Sequence, residues 1–169
     1  NTFQSWRDTV TTGGIVIDVE TDEIIIDGLA MPHTPRIFNG ELYTLLSATG
    51  ELIKINKEKS TYEVIVQLDG FVRGMDLYND YLFIGLSKLR ENSSTFAKLN
   101  LKANEAGIMI VHLPTASIAG KISYQTSLDE IYDVHVLPGK VRPNILNTIR
   151  PDYKEGVTTP DATYWAIKK

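Results

Sequence analysis

Short runs of apolar and β-branched residues, separated by polar turns, make up most of the first 137 residues. The runs at residues 15–19 and 23–26 are joined by a short polar link, which predicts a β-hairpin. In residues 51–55 and 62–68 apolar and polar positions interleave, as expected for strands with one solvated face. The pattern indicates an all-β chain of short antiparallel strands.

One part of this pattern returns about forty residues later. Residues 37–46 predict a strand, a tight turn at Asn39-Gly40 and a second strand, because Asn and Gly both tolerate positive φ. Residues 71–86 predict the same hairpin around Asn79-Asp80. The matching positions are Phe38/Tyr78, Asn39/Asn79, Leu42/Leu82, Tyr43/Phe83, Leu46/Leu86 and Ser47/Ser87.

A unit of about forty residues with four short strands is typical of a β-propeller blade, and blades stack because one blade cannot bury both faces of its sheet. We therefore predict a partial β-propeller of four-stranded antiparallel sheets. It has two full blades (32–68 and 71–124), the outer half of one blade (15–26) and the first strand of a fourth (131–137). The alternative is a single antiparallel sandwich that uses all of these strands.

Propellers have about 4–8 blades, so we expect the remaining blades in a longer parent chain or in a second subunit. The start at Asn1, without a methionine, likewise indicates a processed chain or a fragment. Residues 1–139 are predicted to form the propeller segment. Residues 140–169, which contain three prolines, are predicted to form an irregular tail packed on the same domain.

Composition excludes several classes of protein. A net charge of −4 argues against a nucleic-acid or anionic membrane surface, and no apolar run approaches the roughly 18 residues that a spanning helix needs. The absence of cysteine excludes disulfides and thiolate metal sites. We expect a cytoplasmic protein with no nucleic-acid or membrane partner, no metal and no cofactor, since neither metal-site spacings nor a phosphate-binding glycine loop is present.

Four segments, in order, resemble a known family. GLAMPHTPR (28–36), GFVRGM (70–75), IGLSKLRE (84–91) and EIYDVHVLPG (130–139) are similar to the C-terminal half of a bacterial family of conserved hypothetical, propeller-like proteins. The resemblance covers most of residues 13–139 and implies a parent chain of roughly double length. It implies a fold and motif positions, but it assigns no catalytic residue.

The first strand of each propeller blade lines the central channel, and the loop before it opens on one face. Aligning the two copies places His33 opposite Arg73 and Arg36 opposite Asp76. The stretch 31–36 is predicted to be the part that does not repeat, two residues longer than its counterpart. The candidate ligand-binding residues, expected around one opening, are His33, Arg36, Arg73, Asp76, Arg90, Glu130, Asp133 and His135.

Each candidate also has a purely structural interpretation. His33 lies between two prolines and equally fits a hydrogen bond to a loop backbone. The arginines equally fit braces between neighbouring blades through carboxylates. Ser47 and Ser87 fit turn caps better than nucleophiles, because no G-x-S-x-G motif is present.

Two functional hypotheses follow. The first is a binding or scaffold module whose Arg- and His-lined opening takes a small anionic or polar ligand or a partner. The second is a propeller-fold lyase, hydrolase or lactonase acting on a sugar-like substrate, with His33 or His135 as acid or base and Arg73 stabilising negative charge. A third possibility is a structural half-domain whose sheet edges bind its other half.

Overall fold

The computed structural model describes most of the chain and shows an all-β protein. Asn1–Val136 and Leu137–Lys169 form two compact units, which are described separately. Across the described residues, no helix has the length and apolar character needed to cross a membrane. The described residues are 5–90, 93–96, 99–124, 128–141, 143, 149, 154–159 and 163–165.

The first unit contains a two-stranded hairpin followed by two four-stranded antiparallel sheets. In each sheet the strands lie in chain order, so each neighbouring pair is joined by a short turn or by the insertion after β8. The hairpin is β1 (Gly14–Asp18) and β2 (Glu23–Leu29). The first sheet is β3 (Pro32–Phe38), β4 (Glu41–Leu46), β5 (Glu51–Asn56) and β6 (Thr61–Gln67), and the second is β7 (Phe71–Tyr78), β8 (Tyr81–Ser87), β9 (Gly107–His112) and β10 (Ser117–Ser123). Two short 3₁₀ turns, Ser5–Asp8 and Leu113–Thr115, complete the unit as described.

The first two strands of each four-stranded sheet have the same register, with residue numbers forty apart. Ile37 pairs with Leu42 in the first sheet, and Leu77 pairs with Leu82 in the second. At the turns between these strands, Asn39 and Asn79 both have a φ of 52°, as the hairpin prediction requires. The all-β prediction with four-stranded antiparallel sheets is confirmed.

The agreement extends into the stretch that was predicted not to repeat. Pro32 pairs with Leu46, and Val72, forty residues later, pairs with Leu86. The first strands of the two sheets therefore contain the same number of residues between this pair and the turn. The bulges of these strands contain Thr34 and Gly74, whose φ angles are both positive. The prediction of an extra two residues in 31–36 is therefore wrong. Residues 31–36 and 71–76 follow the same backbone path although their side chains differ.

Strand β4 is buried on both faces because the sheets stack face to face. On one face Leu42 and Leu46 pack in a cluster with Val16 of the first hairpin. On the other face Leu45 packs in a cluster with Val72 and other residues of the second sheet. A strand covered on both sides reads as a continuous apolar run, as the sequence of β4 does.

Three local predictions differ from the structure. Strand β3 begins at Pro32 rather than at residue 37, and the two prolines are tolerated because β3 is at the edge of its sheet. Residues 131–137 do not form a strand, since no strand in the described residues pairs with them through backbone hydrogen bonds. The described part of the second unit was expected to be irregular, but it contains an antiparallel pair, Gly156–Thr158 with Thr163–Trp165.

Candidate functional site

A pocket of about 240 Å³ lies where the first strands of both sheets begin. Four of the eight predicted residues line it, namely His33, Arg73, Arg90 and Glu130. These residues come from β3, from β7, from the insertion after β8 and from the chain beyond β10. The pocket is therefore built by segments that are distant in sequence but adjacent in the stacked sheets.

One wall of the pocket belongs to residues 128–136, here called the docked segment. Its backbone is held by Ser87, at the end of β8, whose hydroxyl donates to the carbonyl oxygen of Ile131 at 3.0 Å and accepts from its amide at 2.9 Å. The amide of Lys88 donates to the carbonyl of Asp129 at 2.8 Å. These bonds lie on either side of Glu130 and bring its side chain to the pocket.

Two glycines allow the docked segment to approach the second sheet. A Cβ atom on Gly74 would lie 2.3 Å from Cα of Asp133, and Gly74 also has a φ of 71°, which favours glycine. A Cβ atom on Gly85 would lie 2.6 Å from Cγ2 of Ile131. Larger side chains at either position would push this wall of the pocket away.

The His33 ring is held in one tautomer by its neighbours. The Ser47 hydroxyl donates its proton to the carbonyl of Val72, so its oxygen accepts a hydrogen bond from Nδ1 of His33 at 2.8 Å. The carbonyl oxygen of Met31, 3.1 Å from Nδ1, is a second acceptor for the same hydrogen. The assigned network therefore places the proton on Nδ1 and leaves Nε2 with a free lone pair in the neutral ring.

The electrostatic surroundings keep this ring neutral. Burial lowers the pKa of the His33 imidazole below its ordinary value, and the positive charge of Arg73 lowers it further. The hydrogen bond to the Met31 carbonyl opposes the shift without cancelling it. At neutral pH His33 thus presents a hydrogen-bond acceptor rather than a second positive charge.

Arg73 has few partners for its five N–H groups. Its guanidinium carbon lies 4.3 Å from the centre of the Tyr132 ring, which occupies one face of the group. The nearest carboxylate oxygen, Oε2 of Glu130, is 3.9 Å from Nη1, too far for a hydrogen bond. Nε of Arg73 is buried and has no hydrogen-bond partner among the described residues.

Glu130 is already occupied by a different arginine. Arg90 donates to both carboxylate oxygens of Glu130, with Nη2 at 2.9 Å from Oε2. This pair, helped by the Tyr132 hydroxyl and by Arg73, lowers the pKa of Glu130 to about 2. Lys88 is similarly paired with Asp129, with 2.8 Å between Nζ and Oδ1. Arg73 is therefore the cation of the pocket without a close acidic partner among the described residues.

Apolar and aromatic side chains form the rest of the lining. Phe71 and Phe96 are in ring contact, with centroids 5.4 Å apart, and the His33 ring meets Phe71 edge-on at 6.3 Å. Trp6 also lines the pocket and is about half exposed. The arrangement combines a cation that approaches a carboxylate only to 3.9 Å with walls that include several aromatic rings.

Comparison with known proteins places the chain in a family. The family model described as "Domain of unknown function (DUF4915)" matches residues 1–146. The chain belongs to this family. A search of curated proteins found no match. The DUF4915 region includes both four-stranded sheets, the docked segment and all the residues that line the pocket.

The other four predicted residues of this DUF4915 chain do not line the pocket. They form two pairs along the first strands, in which Nη2 of Arg36 lies 3.5 Å from Oδ2 of Asp133 and Nδ1 of His135 lies 2.9 Å from Oδ2 of Asp76. Asp76 also accepts a hydrogen bond from the Val136 amide at 2.8 Å. The eight candidates thus form two groups rather than one ring around a single opening.

Sequence reasoning missed several pocket residues of the DUF4915 domain and misassigned others. Phe71, Phe96 and Tyr132 were not singled out, although Tyr132 is two residues from Glu130 and so shares its side in an extended chain. Ser47 and Ser87 are buried ties to the next segment rather than turn caps. Among the described residues, no group of three His, Asp or Glu side chains is placed to hold a metal ion.

Proposed function

We propose that this DUF4915 domain is a propeller-type binding module that holds a small anionic ligand in the pocket through Arg73. The observation that supports the proposal is the state of the Arg73 guanidinium. Its Nε is buried without a partner among the described residues, and its side chain is 22 % exposed. A buried polar group without a partner costs about 1–3 kcal/mol, and more when charged.

An anionic ligand would offset part of this cost by bonding the terminal N–H groups of Arg73, which, unlike Nε, are not fully buried. The planar guanidinium presents N–H groups in a fork that matches a carboxylate or phosphate edge. One of its faces is taken by Tyr132, so a ligand would approach the edges of the group. Lys88 and Arg90, which also line the pocket, are held in ion pairs with Asp129 and Glu130, so Arg73 is the cation that would match the charge of the ligand.

Thermal unfolding with added acetate, phosphate and sulfate tests the proposal. A ligand at about 100 times its Kd stabilises by about 2.7 kcal/mol, which is a shift in Tm of roughly 5 °C or more for a domain of this size. Arg73→Gln should weaken the binding about tenfold or more, because it removes charge-assisted hydrogen bonds. Lys54→Gln, which removes a surface charge paired with Glu63, serves as the control. Equal anion binding by the parent and by Arg73→Gln contradicts the proposal.

The pocket also supports an alternative function, general-base catalysis by a propeller-fold lyase, hydrolase or lactonase on a sugar-like substrate. The specific support is the neutral tautomer of His33, whose Nε2 lone pair would take a proton while Arg73 steadies the developing negative charge. A panel of sugar lactones and uronates, assayed with the parent and with His33→Gln, tests this. If His33→Gln still turns over a substrate of the parent, His33 is not the general base.

We further propose that additional blades, from a parent chain or a second subunit, cover the first hairpin. Ile15, Ile17 and Ile24 of β1 and β2 are each more than 40 % exposed, and β1 pairs only with β2 among the described residues. The equivalent strand β5 has neighbours on both sides. Light scattering of the purified chain distinguishes the two sources of these blades. A dimer that Ile17→Lys dissociates indicates a second copy, whereas a monomer indicates a parent chain. A monomer in which the β1 amides that do not bond to β2 resist exchange would contradict both.

A further inference from the structure

We infer that the ligand of the pocket is an aromatic monocarboxylate, bound with its carboxylate at Arg73 and its ring against the aromatic walls. The inference rests on the proposed anion-binding function and narrows the class of ligand. It follows from three features of the described residues, namely the balance of charges, the nature of the walls and the size of the space.

The balance of charges indicates a monoanion. Of the three cations in the lining, Arg90 is held by both oxygens of Glu130, and Lys88 is held by Asp129. Arg73 is the surplus cation, because the carboxylate that it approaches to 3.9 Å is the Glu130 group already bonded to Arg90. One unmatched positive charge neutralises one negative charge. A phosphate monoester, with a charge near −2 at neutral pH, would keep an uncompensated charge in a half-buried site.

The walls indicate a flat, apolar body on the ligand. The ring centroids of Phe71 and Phe96 are 5.4 Å apart. The Tyr132 ring also lines the pocket and lies against the guanidinium of Arg73. Rings prefer offset or edge-on contacts at about 4.5–7 Å between centroids, and such contacts add to the gain from burial. Aliphatic acids of the same charge would bury apolar surface here, but without these ring contacts.

The size of the space indicates a small molecule. The pocket holds about 240 Å³, below the roughly 300–1,000 Å³ of sites for drug-sized ligands. At about 30 Å³ for each water, it has room for roughly eight waters. One ring with a carboxylate fits within such a space, whereas a nucleotide or an oligosaccharide would extend beyond it.

Titrations monitored by NMR on the whole chain test the inference with four matched probes, which are benzoate, acetate, benzamide and phenyl phosphate. The ¹⁵N side-chain signal of Arg73 reports contact at the guanidinium. Benzoate should shift this signal and bind at least tenfold more tightly than acetate and than phenyl phosphate. Benzamide, which has the ring without the charge, should leave the Arg73 signal unchanged.

Each other result has a definite meaning. If acetate binds as well as benzoate, the aromatic class is wrong although anion binding stands. If phenyl phosphate binds more tightly than benzoate, the monoanion is wrong. If no probe shifts the Arg73 signal, the proposed function and this inference both fail.

Two ring variants distinguish the contribution of the aromatic wall to binding from that of the Arg73 charge. Phe96→Leu keeps an apolar side chain but removes the ring, and it should weaken benzoate severalfold while leaving acetate unchanged. Tyr132→Phe keeps the ring below Arg73 and should retain the tighter binding of benzoate over acetate. Loss of benzoate and acetate binding together in Phe96→Leu, with the chain still folded, would overturn the proposed contact with the ring.

Discussion

Replacing Ser87 with alanine is expected to weaken the attachment of the docked segment while leaving the sheets folded. Ser87 is 1 % exposed, and its hydroxyl bonds both the carbonyl and the amide of Ile131. Alanine would leave both of those backbone groups without a partner, at about 1–3 kcal/mol each. Ile131 is only partly buried, so water can reach it and the lower value applies. The expected loss is about 2 kcal/mol, or roughly thirtyfold in the local opening equilibrium.

Amide hydrogen exchange measures this loss residue by residue. The Ile131 amide should exchange about thirtyfold faster in Ser87→Ala, and so should the Lys88 amide, which bonds to the carbonyl of Asp129. Amides at the β8–β9 ladder should change much less. Ser123→Ala, at an exposed position of β10, is the control. Unchanged exchange at Ile131, or an equal increase throughout the sheets, would refute the proposed tie.

Three further predictions concern the pocket. Gly74→Ala should weaken anion binding through its clash with Asp133, whereas Gly28→Ala, also at positive φ but in open space, should cost about 1 kcal/mol of stability and leave binding intact. ¹⁵N NMR should find the His33 pKa below its ordinary value with the proton on Nδ1; a proton on Nε2 would contradict the network. Glu130 has a lowered pKa in the folded state, so its stabilisation is full above pH 4.5 and is lost towards about 2. In denaturant titrations, the difference in unfolding free energy between the parent and Glu130→Gln should therefore shrink over that range, and a constant difference would refute the assignment.

The strands were predictable because each carries its own local signal. The Asn-Gly turn needs positive φ at both residues, and Asn39 and Gly40 both have it. The apolar run of β4 reflects burial on both faces, which follows once sheets stack. Matching the two copies also placed His33 opposite Arg73, and both residues line the pocket. Local chemistry and repeat spacing together were sufficient for these features.

The pocket walls were not predictable because they depend on contacts between distant segments. Phe96 comes from the insertion, whose path has no periodic signal, and Tyr132 comes from a segment that looked like an ordinary strand. Arg36 and Asp76 occupy equivalent positions, but Arg36 pairs with Asp133 and Asp76 with His135. Which carboxylate an arginine reaches depends on the stagger between stacked sheets, and one sequence does not encode that stagger in any local pattern.

The docked segment shows how the pocket can form without a complete fourth sheet. Ser47 at the end of the first sheet's second strand bonds Val72 of β7, and Ser87 at the equivalent place in the second sheet bonds Ile131. In the first case the next segment is a paired strand, while in the second it has no ladder among the described residues. The same serine tie therefore holds the next segment in place whether or not that segment has a strand partner. Since the lining of the pocket comes from both four-stranded sheets and from the segment tied to the second, ligand binding by this chain should not require additional sheets.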